Sequence, residues 1–302
     1  MTASDPAEDD LDGTISWRQL LAEATVRFRS AGVPHPSGDA RRVVEQASGA
    51  SPSELPLVLE GLVTERAMSH YDDMVVRRCA GEPLQYVLGS WSFRTLDLMV
   101  DPRVLIPRPE TETVVEVALA ELDLLGGRDV ATTVADLGTG SGAIGLSIAV
   151  ERVRTTVWLT DLSEEALAVA RANIAGIGRP GARVQAASGR WFDALPQQLR
   201  GSLDMIVSNP PYIATTAELP GEVRDWEPGL ALWSGSDGTD DLRELIGGAG
   251  EWLVDGGAIV CEMSPEQGEA MVAFAGGHFD EVRTATDLTG RLRALVARRP
   301  LR

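Results

Sequence analysis

The chain has little cysteine, little histidine and no long apolar run. Its 302 residues include only two cysteines and three histidines. Cys79 and Cys261 lie far apart in unrelated contexts, which excludes a disulfide framework and a zinc site. His35, His70 and His278 show no ligand spacing either. We therefore predict a protein without a metal centre, in the reducing cytoplasm.

No segment of the sequence reads as a membrane span or a signal peptide. Mean hydropathy is −0.03, and no run approaches the ~20 apolar residues that cross a bilayer. Residues 1–14 are acidic rather than basic and apolar, so they are interpreted as a solvated acidic tail. A membrane partner is therefore not expected.

Basic residues are also scarce. The sequence has 27 lysines and arginines against 45 aspartates and glutamates, a formal net charge of −18. Proteins that bind DNA or RNA usually present a basic face to the phosphates. The charge therefore argues against nucleic acid as the partner.

Hydrophobic periodicity divides the rest of the chain into three domains. Residues 15–82 have helical spacing and predict a small N-terminal helical bundle. Residues 83–106 predict a β-hairpin linker, with strands beginning near Leu84. Residues 107–302 alternate between strand and helix, which predicts an α/β fold with a doubly wound, mostly parallel, Rossmann-like sheet. Such sheets bind ligands at the carboxyl ends of their strands.

A glycine-rich loop at residues 136–142 lies between a predicted strand and a predicted helix. Its alternating glycines let the backbone approach a ligand at a helix N-terminus. Gly138, Gly140 and Ala143 also fit the dinucleotide fingerprint G-x-G-x-x-A. Asp136 opposes that interpretation, because its carboxylate would face a cation such as the amino group of a methionine moiety. No pyrophosphate is needed to explain Gly142. The order of the residues, Asp136 followed by three alternating glycines, therefore favours a loop that binds a methyl donor.

Asp161 closes the next predicted strand, where its carboxylate can accept hydrogen bonds from both hydroxyls of a ribose. A ribose-containing ligand is therefore expected across the two strand ends.

Asn209, Pro210, Pro211 and Tyr212 follow an apolar run at residues 205–207 that is typical of a buried strand. Two consecutive prolines end the strand, and Pro210 holds Asn209 away from helical geometry. A carboxamide at this point, with a neighbouring carbonyl, can accept both hydrogens of a planar NH2 group. Tyr212 can cover the flat face of that group. The segment therefore predicts a site that holds an amide or aromatic amine.

With these motifs the chain resembles the release factor glutamine methyltransferases, the PrmC/HemK family. The resemblance covers nearly the whole chain. It rests on the helical N-terminal region, the glycine loop and several short stretches: residues 82–89, 105–112, 160–163, 209–212, 226–228 and 287–291.

The resemblance implies a fold, a reaction and a set of site residues. The enzyme would transfer a methyl group from S-adenosyl-L-methionine to the side-chain amide of a glutamine in a peptide-chain release factor, leaving S-adenosyl-L-homocysteine. Asn209, the Pro210 carbonyl and Tyr212 would be the catalytic groups. Cofactor-binding residues would be Asp136, Gly138, Thr139, Gly140, Gly142, Asp161, Leu162, Trp191, Phe192 and Asn209. Substrate-binding residues would be Ile106, Arg108, Glu110, Asn209, Pro210, Pro211 and Tyr212.

Arg190 departs from the family pattern. Family members often carry an acid just before the aromatic pair, here Trp191 and Phe192. That acid accepts a hydrogen bond from the adenine amino group, and arginine has no acceptor.

Three alternatives stay open beside the release-factor function. They are an N-methyltransferase for a small-molecule amide or amine, one for adenine in nucleic acid, and a non-enzymatic binding module.

Overall fold

The structure is a computed structural model, and it describes residues 14–301. Compactness divides the chain into two units, residues 1–88 and residues 89–302. The predicted acidic tail lies outside the described residues, apart from Thr14.

The first unit is helical, as its periodicity predicts. Ser16 caps the first helix through a reciprocal capping box with Gln19. The Tyr71 hydroxyl donates to the Leu20 carbonyl at 2.8 Å inside the core of the unit. The helices are α1 (Trp17–Ser30), α2 (Pro36–Ser48), α3 (Leu55–Val58), α4 (Glu65–Cys79) and α5 (Leu84–Leu88).

The predicted start of the hairpin near Leu84 is wrong. Leu84–Leu88 is a helical turn, and its Val87 and Leu88 side chains belong to the buried core of the helical unit. A five-residue apolar run fits a strand or a helix equally well, so periodicity alone cannot decide. The hairpin itself is present but shorter, with β1 (Ser90–Phe93) antiparallel to β2 (Leu96–Met99).

The second unit is built on a seven-stranded sheet, which confirms the predicted α/β architecture. Its strands are β3 (Thr132–Leu137), β4 (Thr155–Asp161), β5 (Val184–Ser188), β6 (Leu203–Ser208), β7 (Leu253–Glu262), β8 (Phe279–Thr286) and β9 (Leu292–Pro300). Their spatial order is β5-β4-β3-β6-β7-β9-β8. Strands β3 to β7 run parallel, and β9 is antiparallel to both β7 and β8.

Helices cover both faces of this sheet. The helices of this unit are α6 (Glu112–Leu124), α7 (Ala143–Glu151), α8 (Glu164–Gly176), α9 (Gly221–Trp226), α10 (Asp240–Ala249) and α11 (Gly268–Ala275). Alternate residues of one strand point to opposite faces. Val134 accordingly packs in a core with α6 and α7, whereas its neighbour Ala135 packs in a core with α10 and α11.

The strand order reverses between β3 and β6. The chain runs from β3 outward to β4 and β5, and then returns to place β6 on the other side of β3. Ligands of doubly wound sheets bind at such a switch point, outside the carboxyl ends of the strands. Leu137, Asp161 and Ser208 are the last residues of β3, β4 and β6, so both predicted motifs begin at this edge.

Candidate active site

The glycine loop is folded so that its backbone faces a cavity. Gly138, Gly140 and Gly142 all have positive φ, at 72°, 55° and 89°, a conformation that other residues adopt at a cost. A Cβ on Gly138 would lie 2.9 Å from the Trp191 ring, and one on Gly142 would lie 2.8 Å from Leu146. A Cβ on Gly140 would meet nothing within 4 Å. Gly140 therefore faces open space, whereas its two neighbours face protein.

Asp161 joins the loop to the end of β4. Its Oδ2 accepts from the Gly140 amide at 2.9 Å, and its Oδ1 accepts from the Ser163 amide at 2.9 Å. Burial raises the pKa of this carboxyl, against the lowering effect of the backbone amides. Backbone amides thus hold the carboxylate at the cavity wall, where it can accept from a ligand hydroxyl.

Asp136 lies behind the loop, fully buried at the end of β3. Its Oδ2 accepts from the Thr139 hydroxyl at 2.6 Å and from the Gly145 amide at 2.9 Å. Its Oδ1 has no hydrogen-bond partner among residues 14–301. Burial raises the pKa of Asp136 to about 6. Oδ2 thus stabilises the loop, and Oδ1 is available to accept a hydrogen bond.

Two further residues shape the loop and were not identified from the sequence. A Cβ at Gly145 would lie 2.3 Å from the Leu159 side chain and 3.0 Å from Asp136 Oδ2, so α7 can approach β3 only with glycine there. The Asn173 Nδ2 donates to the Ser141 carbonyl at 2.8 Å. Neither residue follows a pattern that a single sequence reveals.

The Arg190 guanidinium pairs with two carboxylates of α10. It donates to Asp241 Oδ1 at 3.2 Å and to Glu244 Oε1 at 3.1 Å, and it lies 5.8 Å from the centre of the Trp191 ring. Asp241 also lines the cavity. The arginine thereby brings a carboxylate from another element to the cavity wall beside it.

The two aromatic residues after Arg190 lie in different surroundings. Trp191 has φ of 45° and lines the cavity, and its buried Nε1 has no partner among residues 14–301. Phe192 stacks on Trp252, with ring centres 5.9 Å apart and planes 14° apart. Trp191 is therefore placed to contact a ligand, while Phe192 packs in the core under the loop.

The segment from Asn209 to Tyr212 is anchored at both ends. The Ser208 hydroxyl donates to the Leu137 carbonyl at 2.6 Å, between the two central strands. The Tyr212 carbonyl accepts from Gln267 Nε2 at 2.9 Å, and the same amide donates to the Gly238 carbonyl at 2.8 Å. Pro210 is buried, while Asn209 and Pro211 line the cavity. The side chain of Asn209 is thus held at the end of β6.

Tyr212 and Asn209 also touch two buried polar residues that the sequence patterns did not single out. The Tyr212 hydroxyl donates to Glu262 Oε1 at 3.2 Å, at the end of β7. The Asn209 Nδ2 donates to Thr111 Oγ1 at 3.4 Å. Burial raises the pKa of both Tyr212 and Glu262. Glu262 is 1% exposed and Thr111 is 3% exposed, so these contacts lie in the interior.

A third anchor holds the stretch before α6. Glu227 accepts from the Arg108 guanidinium and, through Oε2, from the Ile106 amide at 3.2 Å. Glu227 is buried, Arg108 is half-buried and Glu110 is exposed. The ion pair ties the predicted substrate-binding stretch to the loop that follows Tyr212.

One cavity of about 590 Å³ brings the two predicted motifs together. The predicted site residues in its wall are Gly138, Thr139, Gly140, Asp161, Leu162, Trp191, Asn209 and Pro211. The remaining predicted residues within the described chain lie behind or beside this wall: Ile106, Arg108, Glu110, Asp136, Gly142, Phe192, Pro210 and Tyr212. A ligand on the glycine loop and a group held by Asn209 would therefore share one space.

Two family comparisons match separate parts of the chain. The PrmC N-terminal domain matches residues 19–89, and the methyltransferase small domain matches residues 119–221. The second match spans the glycine loop, Asp161 and the whole segment from Asn209 to Tyr212. The fold and the site therefore define a methyltransferase.

Relatives over the full length give the family. The chain is 40% identical over 290 residues to the release factor glutamine methyltransferase of Moorella thermoacetica, covering 94% of this chain and 99% of that one. It is 38% identical over 291 residues to the enzyme of the same name from Bifidobacterium longum, covering 92% and 98%. The chain belongs to the release factor glutamine methyltransferase family, and these relatives do not favour the small-molecule and adenine alternatives.

A solved structure supports the fold alone. The hMettl16 catalytic domain, in complex with MAT2A 3′UTR hairpin 6, aligns with a TM-score of 0.51 and 12% sequence identity. The alignment covers 78% of this chain and 82% of that one. Among residues 14–301, no helix is long and apolar enough to cross a bilayer. The same residues contain no cluster of acidic, histidine and cysteine side chains fit to bind a metal.

Proposed function

We propose that this protein methylates the side-chain amide nitrogen of a glutamine in a peptide-chain release factor, with S-adenosyl-L-methionine as donor. The observation that carries the proposal is that one cavity is lined by Gly140 and Asp161 and also by Asn209, from the other motif. One motif suits a nucleoside-linked donor, and the other suits a planar NH2 group. The relatives named as release factor glutamine methyltransferases support the choice of acceptor.

The residues of the donor side fit this cofactor. Gly140 leaves open space above its backbone, and the Asp161 carboxylate in the cavity wall suits ribose hydroxyls. The free Oδ1 of Asp136 suits the donor's amino group. When bound, S-adenosyl-L-methionine supplies an electrophilic methyl group on its sulfonium and leaves as S-adenosyl-L-homocysteine. Leu162 and Trp191 give apolar walls for the adenine.

Asp241 is the acceptor that we propose for the adenine amino group. It stands in the cavity wall beside Arg190, which occupies the position where related enzymes often carry the acid. The Arg190 guanidinium holds one carboxylate oxygen, Oδ1, at 3.2 Å. Arg190 would thus position an acid of α10 to accept this hydrogen bond, because the arginine itself has no acceptor.

The acceptor side must restrain a weak nucleophile. The lone pair of an amide nitrogen is delocalised into its carbonyl group, so the nitrogen attacks poorly. Asn209 Oδ1 and the Pro210 carbonyl would accept the two N–H groups and favour a more pyramidal nitrogen aimed at the methyl group. Tyr212 would pack on the amide plane. Catalysis would then depend on positioning and on electrostatics.

The helical unit is proposed to dock the protein acceptor. It exposes large apolar side chains, including Leu57 at 82% and Val76 at 58%, and it matches the PrmC N-terminal domain. Replacing Leu57 with aspartate should raise the KM for the intact acceptor without changing donor affinity. An unchanged KM for this variant and for the matching Val76 variant would reject the docking role.

The function is tested with purified chain, release factor and labelled donor. We expect one methyl group on one glutamine of the release factor, located by peptide mass spectrometry. The Asn209→Ala variant should bind donor within a few fold of wild type but turn over roughly a hundredfold more slowly. A wild-type chain that binds the donor but leaves the release factor unlabelled would reject the proposed acceptor.

A further inference from the structure

Asn173 on α8 is a buried carboxamide that bonds to backbone through both its oxygen and its nitrogen. The residue is 5% exposed. Its Oδ1 accepts from the Met99 amide at 2.7 Å, while its Nδ2 donates to the Met99 carbonyl at 3.1 Å and to the Ser141 carbonyl at 2.8 Å. A backbone N–H can only donate and a carbonyl can only accept, so these partners allow one orientation of the carboxamide. Asn173 therefore links strand β2 to the glycine loop.

On the side of the hairpin, the link is made by backbone. Met99 is the last residue of β2 and pairs with Ser90 across the hairpin. In antiparallel strands, residues that bond across the ladder alternate with residues whose N–H and C=O point away from the partner strand. Both backbone groups of Met99 bond to Asn173, which takes the place that a third strand would occupy. The Met99 side chain is exposed, at 39%, so it is not the group that Asn173 holds.

On the side of the loop, Asn173 helps to hold the peptide unit between Ser141 and Gly142. The carbonyl of this unit accepts from Asn173, and its N–H, that of Gly142, donates to the Thr139 carbonyl at 2.9 Å. Gly142 has φ of 89° and is the N-cap of α7, and Ser141 lines the cavity. A buried carbonyl without a partner is costly. Without Asn173, the Ser141 carbonyl would gain by turning toward the cavity, where water can reach it and where the methyl donor is expected to lie.

We infer that Asn173 is a positioning residue for the methyl donor, and that through it the β1–β2 hairpin is part of the donor site. The inference rests on the proposed function, because S-adenosyl-L-methionine is the ligand assigned to the loop. Asn173 acts on the loop from behind the cavity wall and does not contact Asn209. Loss of its hydrogen bonds should therefore weaken binding of the methyl donor while kcat at saturating donor stays within a few fold of wild type.

The test measures donor affinity by calorimetry and kcat with release factor as acceptor, in the full chain. Asn173→Asp keeps the size of the side chain and an acceptor for the Met99 amide, but its carboxylate has no hydrogen to donate to Ser141. Affinity for S-adenosyl-L-methionine should fall roughly tenfold or more, the effect of leaving one buried carbonyl unpaired. Asn173→Ala removes all three hydrogen bonds and should show the same loss, so it decides the question if the aspartate variant does not fold.

Gln267→Glu is the matched control for Asn173→Asp. Gln267 is also a buried carboxamide, at 6% exposed, and it also makes three hydrogen bonds to backbone. Its Nε2 holds the Tyr212 carbonyl at 2.9 Å, on the acceptor side of the cavity, rather than the glycine loop. The glutamate variant should therefore lower kcat and leave the affinity for S-adenosyl-L-methionine within a few fold of wild type.

A second pair of variants tests the part of the hairpin. Met99→Pro removes the N–H that donates to Asn173, so it should weaken binding of S-adenosyl-L-methionine several fold although Asn173 is unchanged. Met99→Leu keeps the backbone and changes only the exposed side chain, and its affinity should match wild type.

The outcomes separate this inference from the proposed function. A wild-type chain that does not bind S-adenosyl-L-methionine would reject the proposed function. Binding by wild type and by a folded Asn173 variant with equal affinity would reject the inference alone. Equal weakening in Gln267→Glu would also reject it, because loss of any buried carboxamide would then explain both results. Wild-type affinity in Met99→Pro, or equal weakening in Met99→Leu, would reject the part of the hairpin.

Discussion

Replacing Gly140 with valine should abolish donor binding and leave the protein folded. Gly140 has φ of 55°, and a Cβ on it would meet nothing within 4 Å. The added side chain would therefore project into the cavity rather than into the protein. Gly256 offers a matched control, since it has φ of 82°, equally open surroundings and no place in the cavity wall.

The expected magnitudes follow from these two positions. A side chain in the left-handed conformation costs roughly 1–2 kcal/mol, and Gly140→Val and Gly256→Val should both carry that cost. For a domain of this size, this lowers Tm by roughly 2–8 °C. Only Gly140→Val should also exclude the donor, with a loss of at least ~100-fold in affinity, or about 2.8 kcal/mol.

Isothermal calorimetry with S-adenosyl-L-methionine, together with a thermal melt of each variant, decides this prediction. Equal Tm values and donor binding lost only in Gly140→Val would support the assignment of the loop. Wild-type affinity in Gly140→Val would refute it, because the donor could not then lie against the loop. Loss of binding in both variants would refute the explanation that the valine side chain at Gly140 blocks the cavity, because Gly256 lies outside the cavity wall.

Three further outcomes are expected from the same site. Asp161→Ala should weaken donor binding by about 1.5–3 kcal/mol in calorimetry, because charge-assisted hydrogen bonds to the ribose are lost. Asp241→Ala should weaken it several fold, whereas Arg190→Gln, which leaves the carboxylate in place, should weaken it less. Burial raises the pKa of Asp136 to about 6, so its contribution to folding stability is complete below about pH 4 and is lost as pH rises to 6. Between pH 4 and pH 7, the free energy of unfolding in urea should fall by on the order of 2 kcal/mol more in wild type than in Asp136→Asn.

Residues whose role depends on local chain geometry could be predicted from the sequence. Gly140 and Asn209 belong to short segments in which glycine or proline punctuates a strand end, and Asp161 follows the next strand. Parallel topology then brings such strand ends to one edge of the sheet. The two motifs accordingly meet in one cavity.

Residues that meet only through the tertiary fold could not be predicted in this way. Thr111 reaches Asn209 across 98 positions of sequence, and Glu262 reaches Tyr212 across 50. Asp241 reaches Arg190 across 51. A single sequence carries no local signal for such pairs, because register and helix packing decide them.

The prediction of a strand beginning near Leu84, where the structure has the helix Leu84–Leu88, is wrong for a related reason. The few apolar residues of that helix satisfy both periodicities, and packing into the helical core decides between them.

The central claim is that one cavity holds the methyl donor beside a glutamine amide gripped by Asn209. The most direct measurement is single-turnover methylation of intact release factor with donor-saturated enzyme, for wild type and Asn209→Ala. We expect one methyl group on a glutamine side-chain nitrogen with wild type, and a rate roughly a hundredfold lower in the variant at near-equal donor affinity. Equal rates for the two proteins, or a methyl group on another residue type, would contradict it.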